Sequence, residues 1–559
     1  MGDSAADLSL GKPAADFADF ALTRRFIDVD GRRVHVRIMG SGPPAIFIHS
    51  SPANSSFVLP EMASVAERFT CYAFDTPGFG LSDPLPGEAL TMPELADALA
   101  KTLAAIGMPP CPVFGCHTGA AIALELALRH PRRVTGLVLD ALCCFTDDEL
   151  AAVEAGYFIK IPLDPLGGHF SAIWTRFRDQ STWFPWFARD PDHLNESDLT
   201  SPAATNRWVT MFFDAQHTYA PAYRAALAYQ DGPAAVRRLT VPMVLTAIEA
   251  DMLYPHLDRI DPAGPEQQVV RVGNSVAARR ALTSDALIRF AGGKAAPSLP
   301  SKLTSSAQVL RQFVDLAHGQ LLVRSLGDRT KPPLLLIHDV PGSGMQAEAR
   351  MHELARDRFV MVFDLPGCSE SAPLETPTLA DFAECLWHGL TTLGFDRAAL
   401  AGTGFGSSLA LEMAELAPQR TMSLLLEGVL LPTAAERAEL RAHFAPPVDI
   451  AGDGSHWFRT WQMIRDMGIW WPWFRPAQAA LRRVAADFDA ASLHQRTCET
   501  LRQPGGYCAY VAAALDHDAA SALNRLQVTP HFVRDSLNPV ATAYAAEVRR
   551  LCPAAEWVE

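Results

Sequence analysis

Two α/β domains in tandem are what this sequence predicts, each a mostly parallel sheet flanked by helices and interrupted by an inserted helical cap. Three observations lead there. The chain has 559 residues, more than one hydrophobic core holds, since single cores stop growing at about 250–300 residues. Short apolar runs alternate with helix-length segments, the pattern of a parallel sheet covered on both faces. The whole pattern also occurs twice.

The duplication is read from spacings. AIFIH ends at His49 and LLLIH at His338, 289 residues apart; DTPGFGLSDPL opens at Asp75 and DLPGCSESAPL at Asp364, again 289 apart. GCHTG from Gly115 and GTGFG from Gly402 are 287 apart, as are His169 and His456, Trp174 and Trp461, Asp179 and Asp466, and Trp186 and Trp473. A unit this long is a whole domain, not a solenoid repeat. The expected layout is an N-terminal extension over 1–23, a first domain over 24–292, a linker over 293–307 rich in Pro, Ser and Lys, and a second domain over 308–559.

In the first copy, PPAIFIH and FTCYAFD read as buried strands, and TMPELADALAKTLAAIG as a helix capped by Thr91 and stopped by Gly107. CPVFG is a strand, AAIALELALRH a helix, RVTGLVLDAL a strand, and TVPMVLTAIEAD and QQVVRVG the last strands. About a hundred Trp-rich, helical residues break the alternation and read as a cap over about 142–238, with a counterpart over about 428–526.

Bulk properties exclude several classes. A net charge of −14 disfavours a nucleic-acid or anionic-membrane surface. No run of about 18 apolar residues is present, so no membrane span is expected. The start shows neither a basic segment nor an apolar one, and Ala6 stands where a myristoylation signal wants Ser or Thr. The ten cysteines have no zinc or redox spacing and read as reduced core thiols, so a cytoplasmic location is expected. No phosphate loop, dinucleotide fingerprint or metal spacing is found, and neither a cofactor nor a metal is expected; GTGFGSS is only superficially glycine-loop-like.

The order strand-HSSP, DTPGFGLSDP, strand-GxxxG-helix, RVTGLVLD, cap, VPMVLxxxxAD resembles the α/β-hydrolase superfamily, near its epoxide-hydrolase and haloalkane-dehalogenase branch. The resemblance spans nearly the whole chain, twice. It implies a strand-turn-helix elbow, G-x-Nuc-x-G, that lifts a nucleophile above the sheet. Here the centre of the elbow is His117 in the first copy and Gly404 in the second, which leaves the second domain without a nucleophile. The family acid is expected at Asp251, with Asp535 as its counterpart, or one strand earlier at Asp140, with Glu427 as counterpart. The family histidine should follow the last strand, where Asn274-Ser275-Val276 offers none.

Imidazole titrates near neutrality, so His117 held by Asp251 or Asp140 could move a proton or attack a carbonyl. The N–H of Thr118 and the loop of Ser50 and Ser51 are candidate oxyanion donors. Cys116, beside the elbow centre, reads as a buried thiol, and His49 as part of a structural loop. His256, five residues past Asp251, is a candidate site residue or a surface histidine. Asp339, in the second copy's loop, would place negative charge at the oxyanion position. The caps share G-x-H-x4-W-x4-D; their aromatics read mainly as cap core, with His169 and Trp183 as candidate substrate contacts.

The favoured reading is an enzyme whose first domain acts on a small or medium apolar ester, thioester, lactone or related carbonyl compound. Lyase or isomerase chemistry with His117 as base is the variant. The competing reading is a tandem pseudo-hydrolase that binds a small ligand or a protein. Intramolecular pairing of the two domains is compatible with both. What discriminates them is whether His117 lines a pocket with a carboxylate in reach.

Overall fold

The computed structural model describes residues 20–158, 160–195, 198–299, 301, 303–534, 536–553 and 555–558. All but the last four residues of the expected N-terminal extension lie outside them, as does Asp535. The chain forms two compact units: Met1–Ile161 with Ala172–Pro300, and Pro162–Ser171 with Ser301–Glu559.

The first unit is built on one eight-stranded sheet: β1 (Leu22–Val29), β2 (Arg32–Met39), β3 (Pro44–Ile48), β4 (Thr70–Phe74), β5 (Cys111–Cys116), β6 (Val134–Asp140), β7 (Met243–Ile248) and β8 (Gln267–Val272). The spatial order is β1-β2-β4-β3-β5-β6-β7-β8. Pairing is antiparallel at β1–β2 and β2–β4 and parallel from β4 to β8. β3 is buried along its whole length, and Phe47 packs with Phe114 of β5 in the core. Each phenylalanine so buried contributes about 2 kcal/mol of transfer free energy. Thr91 caps the helix Met92–Ala105 through a reciprocal capping box with Glu94.

Asp75, at the head of DTPGFG, organises the loops above the sheet. Its buried carboxylate accepts hydrogen bonds from His35 Nδ1 (2.8 Å), Ser55 N (2.7 Å) and Leu81 N (2.8 Å). Burial would raise its pKa, but the His35 and Arg37 charges hold it far below the usual carboxylate range. His49 is structural in the same way: Nδ1–H donates to Ser50 O (2.7 Å), and Nε2 accepts from Thr76 N–H (3.0 Å).

The second unit repeats the plan with β9 (Ser306–Leu316), β10 (Gly319–Gly327), β11 (Pro333–Ile337), β12 (Phe359–Phe363), β13 (Ala398–Thr403), β14 (Thr421–Glu427), β15 (Pro530–Val533) and β16 (Glu556–Val558). Their order, β9-β10-β12-β11-β13-β14-β15-β16, is that of the first sheet. Ser306 and Ala307, assigned to the linker from composition, open β9. Helices interrupt each sheet where caps were expected: between β6 and β7, starting at Asp147–Gly156, and between β14 and β15, starting at Ala434–His443. Among the described residues no helix is long and apolar enough to cross a membrane.

Candidate active site

The elbow sits between β5 and the helix Thr118–Arg129, and glycines make it possible. A Cβ on Gly115 would lie 2.2 Å from Gly119 O, and one on Gly119 2.3 Å from Ile48 O, so strand, turn and helix close on each other only without side chains there. His117 at the apex has φ 50° and ψ −114°, a conformation that L side chains rarely adopt. Its N–H is tied to Asp140 O at 2.9 Å.

The imidazole lines a cavity of about 220 Å³. Nε2 lies 2.9 Å from Asp251 Oδ2. An ionised carboxylate only accepts, so Nε2 carries the proton. Asp251 is fixed in turn by Leu253 N–H at 2.9 Å. Among the described residues no protein group bonds the other ring nitrogen, Nδ1, which leaves its lone pair for a substrate or water. Burial would lower the His117 pKa. The charge and hydrogen bond of Asp251 outweigh it and raise the value above 6.5. The reciprocal effect, against burial, holds Asp251 below its ordinary value.

The other sequence candidates divide clearly. Ser50 and Ser51 are buried and line the cavity, and Ser51 Oγ has no hydrogen-bond partner among the described residues. Thr118 opens the helix, so its N–H has no partner within the helix and lies at the positive end of the helix dipole. Cys116 touches the cavity but belongs to the core, where burial pushes its thiol far up. Asp140 also lines the cavity, yet it pairs with Arg279 and leaves the imidazole to Asp251.

Thr118, though next to His117, is not among the residues that line this cavity, and neither are His169, Trp183 and His256. His169 is buried in the second unit, where Nδ1 accepts Asp164 N–H (3.1 Å) and Nε2 faces His494 (3.0 Å). Trp183 is half-buried and bridges in β fashion to Leu194. His256 is buried, correcting the surface alternative; it accepts Cys144 N–H at 2.9 Å, and burial, helped by Arg259, pulls its pKa down to about 4.

Sequence reasoning missed Arg279, Glu61 and the aromatic walls. Arg279 bridges Asp140 and Glu61 (2.7 Å to the latter) beside the elbow. It rises one turn into the helix Val276–Arg289, in the stretch searched for a histidine. An arginine there, with Asp140 needing a counterion, was the available signal. Phe57, Tyr157, Phe177, Trp208 and Tyr223 form the apolar walls. The cap's aromatic composition signalled such walls but not which rings turn inward.

In the second unit Gly404 repeats the apex backbone, φ 56° and ψ −123°. The carboxylate of Asp339 fills the space beside it, accepting Phe405 N–H (3.0 Å) and Val340 N–H (2.8 Å). Glu427 bonds Thr403 Oγ1 (3.1 Å) and Ser536 Oγ (2.7 Å). Elsewhere in this unit Glu412, Glu415 and His517 offer ligand atoms within 4.8 Å of one another, but Arg525 already pairs with Glu415 at 2.5 Å.

The family model described as alpha/beta hydrolase fold matches residues 43–160 and 332–447, one region in each unit. A 2-(acetamidomethylene)succinate hydrolase of Mesorhizobium japonicum is 31% identical over 143 residues, 25% of this chain and 51% of that protein. Haloalkane dehalogenase 2 of Mycobacterium tuberculosis is 29% identical over 127 residues, 23% of this chain and 44% of that protein. The chain thus spans about half the length of these curated relatives. The crystal structure of epoxide hydrolase A from Mycobacterium thermoresistibile aligns over 48% of this chain and 98% of its own, at 18% identity and a TM-score of 0.37.

Proposed function

The chain belongs to the α/β-hydrolase superfamily, with a family domain in each half, and from that premise we propose that its first domain hydrolyses a small, neutral, largely apolar ester, thioester or lactone. One observation carries this reading: the elbow-apex imidazole lines a cavity with Nε2 held 2.9 Å from Asp251 and Nδ1 unclaimed. In the proposed step, Nδ1 takes a proton from water as the water oxygen attacks the carbonyl carbon. The oxyanion is received by Thr118 N–H at the helix N-terminus. Collapse breaks the bond to the alcohol or thiol, and the imidazolium returns its proton to that leaving group. Asp251 steadies the imidazolium between the two transfers, as the acid of a triad does.

The cavity wall supports a neutral substrate. It carries Glu61, Asp140, Asp198 and Asp251 against the single guanidinium of Arg279, which is bound to two of them. An anionic substrate would meet net repulsion, and the aromatic walls suit an apolar body. The second domain, glycine at its apex, is read as catalytically inactive. All ten cysteines stand as free thiols, which supports a cytoplasmic location.

The test is a panel of neutral esters, thioesters and lactones incubated with wild type and with His117→Ala, followed by mass spectrometry. Consumption by wild type should fall by about 10²–10⁴-fold in the variant. Equal consumption by both would remove His117 from the chemistry. A compound retained unchanged by wild type would favour a binding module.

A further inference from the structure

The second unit contains a larger cavity than the first, about 340 Å³, within the range of small-molecule sites. Its elbow end is closed to chemistry by the chain itself. Asp339 Oδ1 takes Phe405 N–H, the donor that would otherwise face an oxyanion, and Oδ2 accepts Asn538 Nδ2 at 3.2 Å. The opposite charge lies on two arginines. Arg482 spends its guanidinium on the backbone carbonyls of Met467 (2.8 Å) and Leu537 (2.6 Å). Arg496 has a buried Nε with no hydrogen-bond partner and, among the described residues, no carboxylate within ion-pair distance. Asp339 and Glu499 act on it only through space. Asp487, the other acid lining the cavity, is exposed. Phe405, Phe444, Trp470 and Trp471 supply apolar walls.

The Arg496 guanidinium is half-buried at the cavity wall, feels Asp339, Glu499 and Asp487 only through space, and makes no ion pair among the described residues, so a ligand that brings a carboxylate gives it the charge-assisted hydrogen bonds it lacks. Planar walls around such a cation favour a flat or acyl body attached to the anion. We propose that this cavity is a non-catalytic binding site for a small organic monocarboxylate, with Arg496 receiving the carboxylate and the aromatic walls receiving the aromatic or acyl body. The inference is independent of hydrolysis in the first domain.

The test is isothermal titration of the full chain with phenylbutyrate and with its uncharged counterpart phenylbutyramide, on wild type and on Arg496→Met, Arg496→Gln and Arg496→Lys. Each variant is first checked for an unchanged melting transition. Wild type should bind the acid about tenfold or more tightly than the amide. Arg496→Met and Arg496→Gln should lose that preference while still binding the amide, and Arg496→Lys should keep most of it. Equal binding of acid and amide to wild type overturns the proposal, as does no detectable binding of the acid, or a preference that survives in the folded neutral variants. Should one neutral variant fail to fold, the other decides.

Discussion

Replacing Asp251 with asparagine separates the charge of the carboxylate from its hydrogen bond to His117. The amide oxygen of the substituted side chain can still accept from Nε2–H, so the ring stays oriented, but nothing negative remains to stabilise the imidazolium. A hydrogen bond to a charged partner contributes about 1.5–3 kcal/mol, against about 1 kcal/mol for a neutral one. The exchange therefore removes about 1–2 kcal/mol from the protonated ring, or about one pKa unit. The direction follows from the opposing causes: burial lowers the His117 pKa, Asp251 raises it, and the wild-type balance lies above 6.5. With the charge gone, burial and the nearby Arg279 charge are no longer opposed by it, and the pKa falls. Two-dimensional NMR of ¹⁵N-histidine-labelled protein, titrated through neutrality, reads this directly. The kinetic counterpart is an acid limb that moves to lower pH in Asp251→Asn while the plateau rate falls. The ion pair also stabilises the fold where both partners are charged. Asp251, with its pKa lowered, adds stability above its unfolded pKa that is lost as pH falls through the folded one; His117, raised, adds stability below its unfolded pKa that is lost as pH rises through the folded one. A His117 pKa that stays put or rises in Asp251→Asn would refute the reasoning, because the pairing would then not set the imidazole's charge.

Four further outcomes are expected. Wild-type turnover of a neutral ester should rise with pH through a midpoint above 6.5, as His117 gives up its proton; a rate that is flat or falls across that range removes it as the base. Gly119→Ala should lower stability by about 2 kcal/mol in urea unfolding, since the new methyl would lie 2.3 Å from the Ile48 carbonyl oxygen. Arg279→Met should cost about 3 kcal/mol by the same measurement, because Asp140 would lose its cation while staying buried and Glu61 would keep only Arg280 at 3.4 Å. Gly404→Ser should destabilise without creating esterase activity, because its Cβ would fall 2.1 Å from Asp339 Oδ2 at a positive φ; adding Asp339→Ser should recover part of the loss, a non-additivity visible in a double-mutant cycle.

The sheets were legible because their signals are local and redundant. PPAIFIH contains β3, CPVFG contains most of β5, and Thr91 caps its helix as the capping-box pattern required. The elbow was legible for the same reason: two glycines four apart between a strand and a helix leave few conformations open. The pairing of His117 with Asp251 was foreseen as one of two options, and chain order could not choose between them. The choice is made by Arg279, 139 residues beyond Asp140, which occupies that carboxylate. No local pattern ties an arginine on the last helix to an acid at the end of β6. The cap was least legible. His169 and Trp183 fell on a repeated pattern, yet the rings of that segment that reach the cavity, Tyr157, Phe177, Trp208 and Tyr223, are not among its repeated positions.

The two elbows share a backbone and differ in what fills the space above it. At the first, the apex residue supplies the group, and Ser50, at the loop position 289 residues before Asp339, is small and leaves room for it. At the second, the loop residue supplies the group, and only glycine at the apex leaves room for Asp339. Gly404 and Asp339 are therefore sterically coupled. Once an acid stood at position 339, a side chain at 404 would have met it, and once glycine stood at 404, the acid could satisfy the elbow N–H of Phe405. Such a pair is stable against single reversions, since restoring either partner alone produces a clash or leaves an elbow donor unpaired. That coupling ties glycine at the second apex to the acid beside it, in a unit that has the same sheet order as the first and a cavity of about 340 Å³.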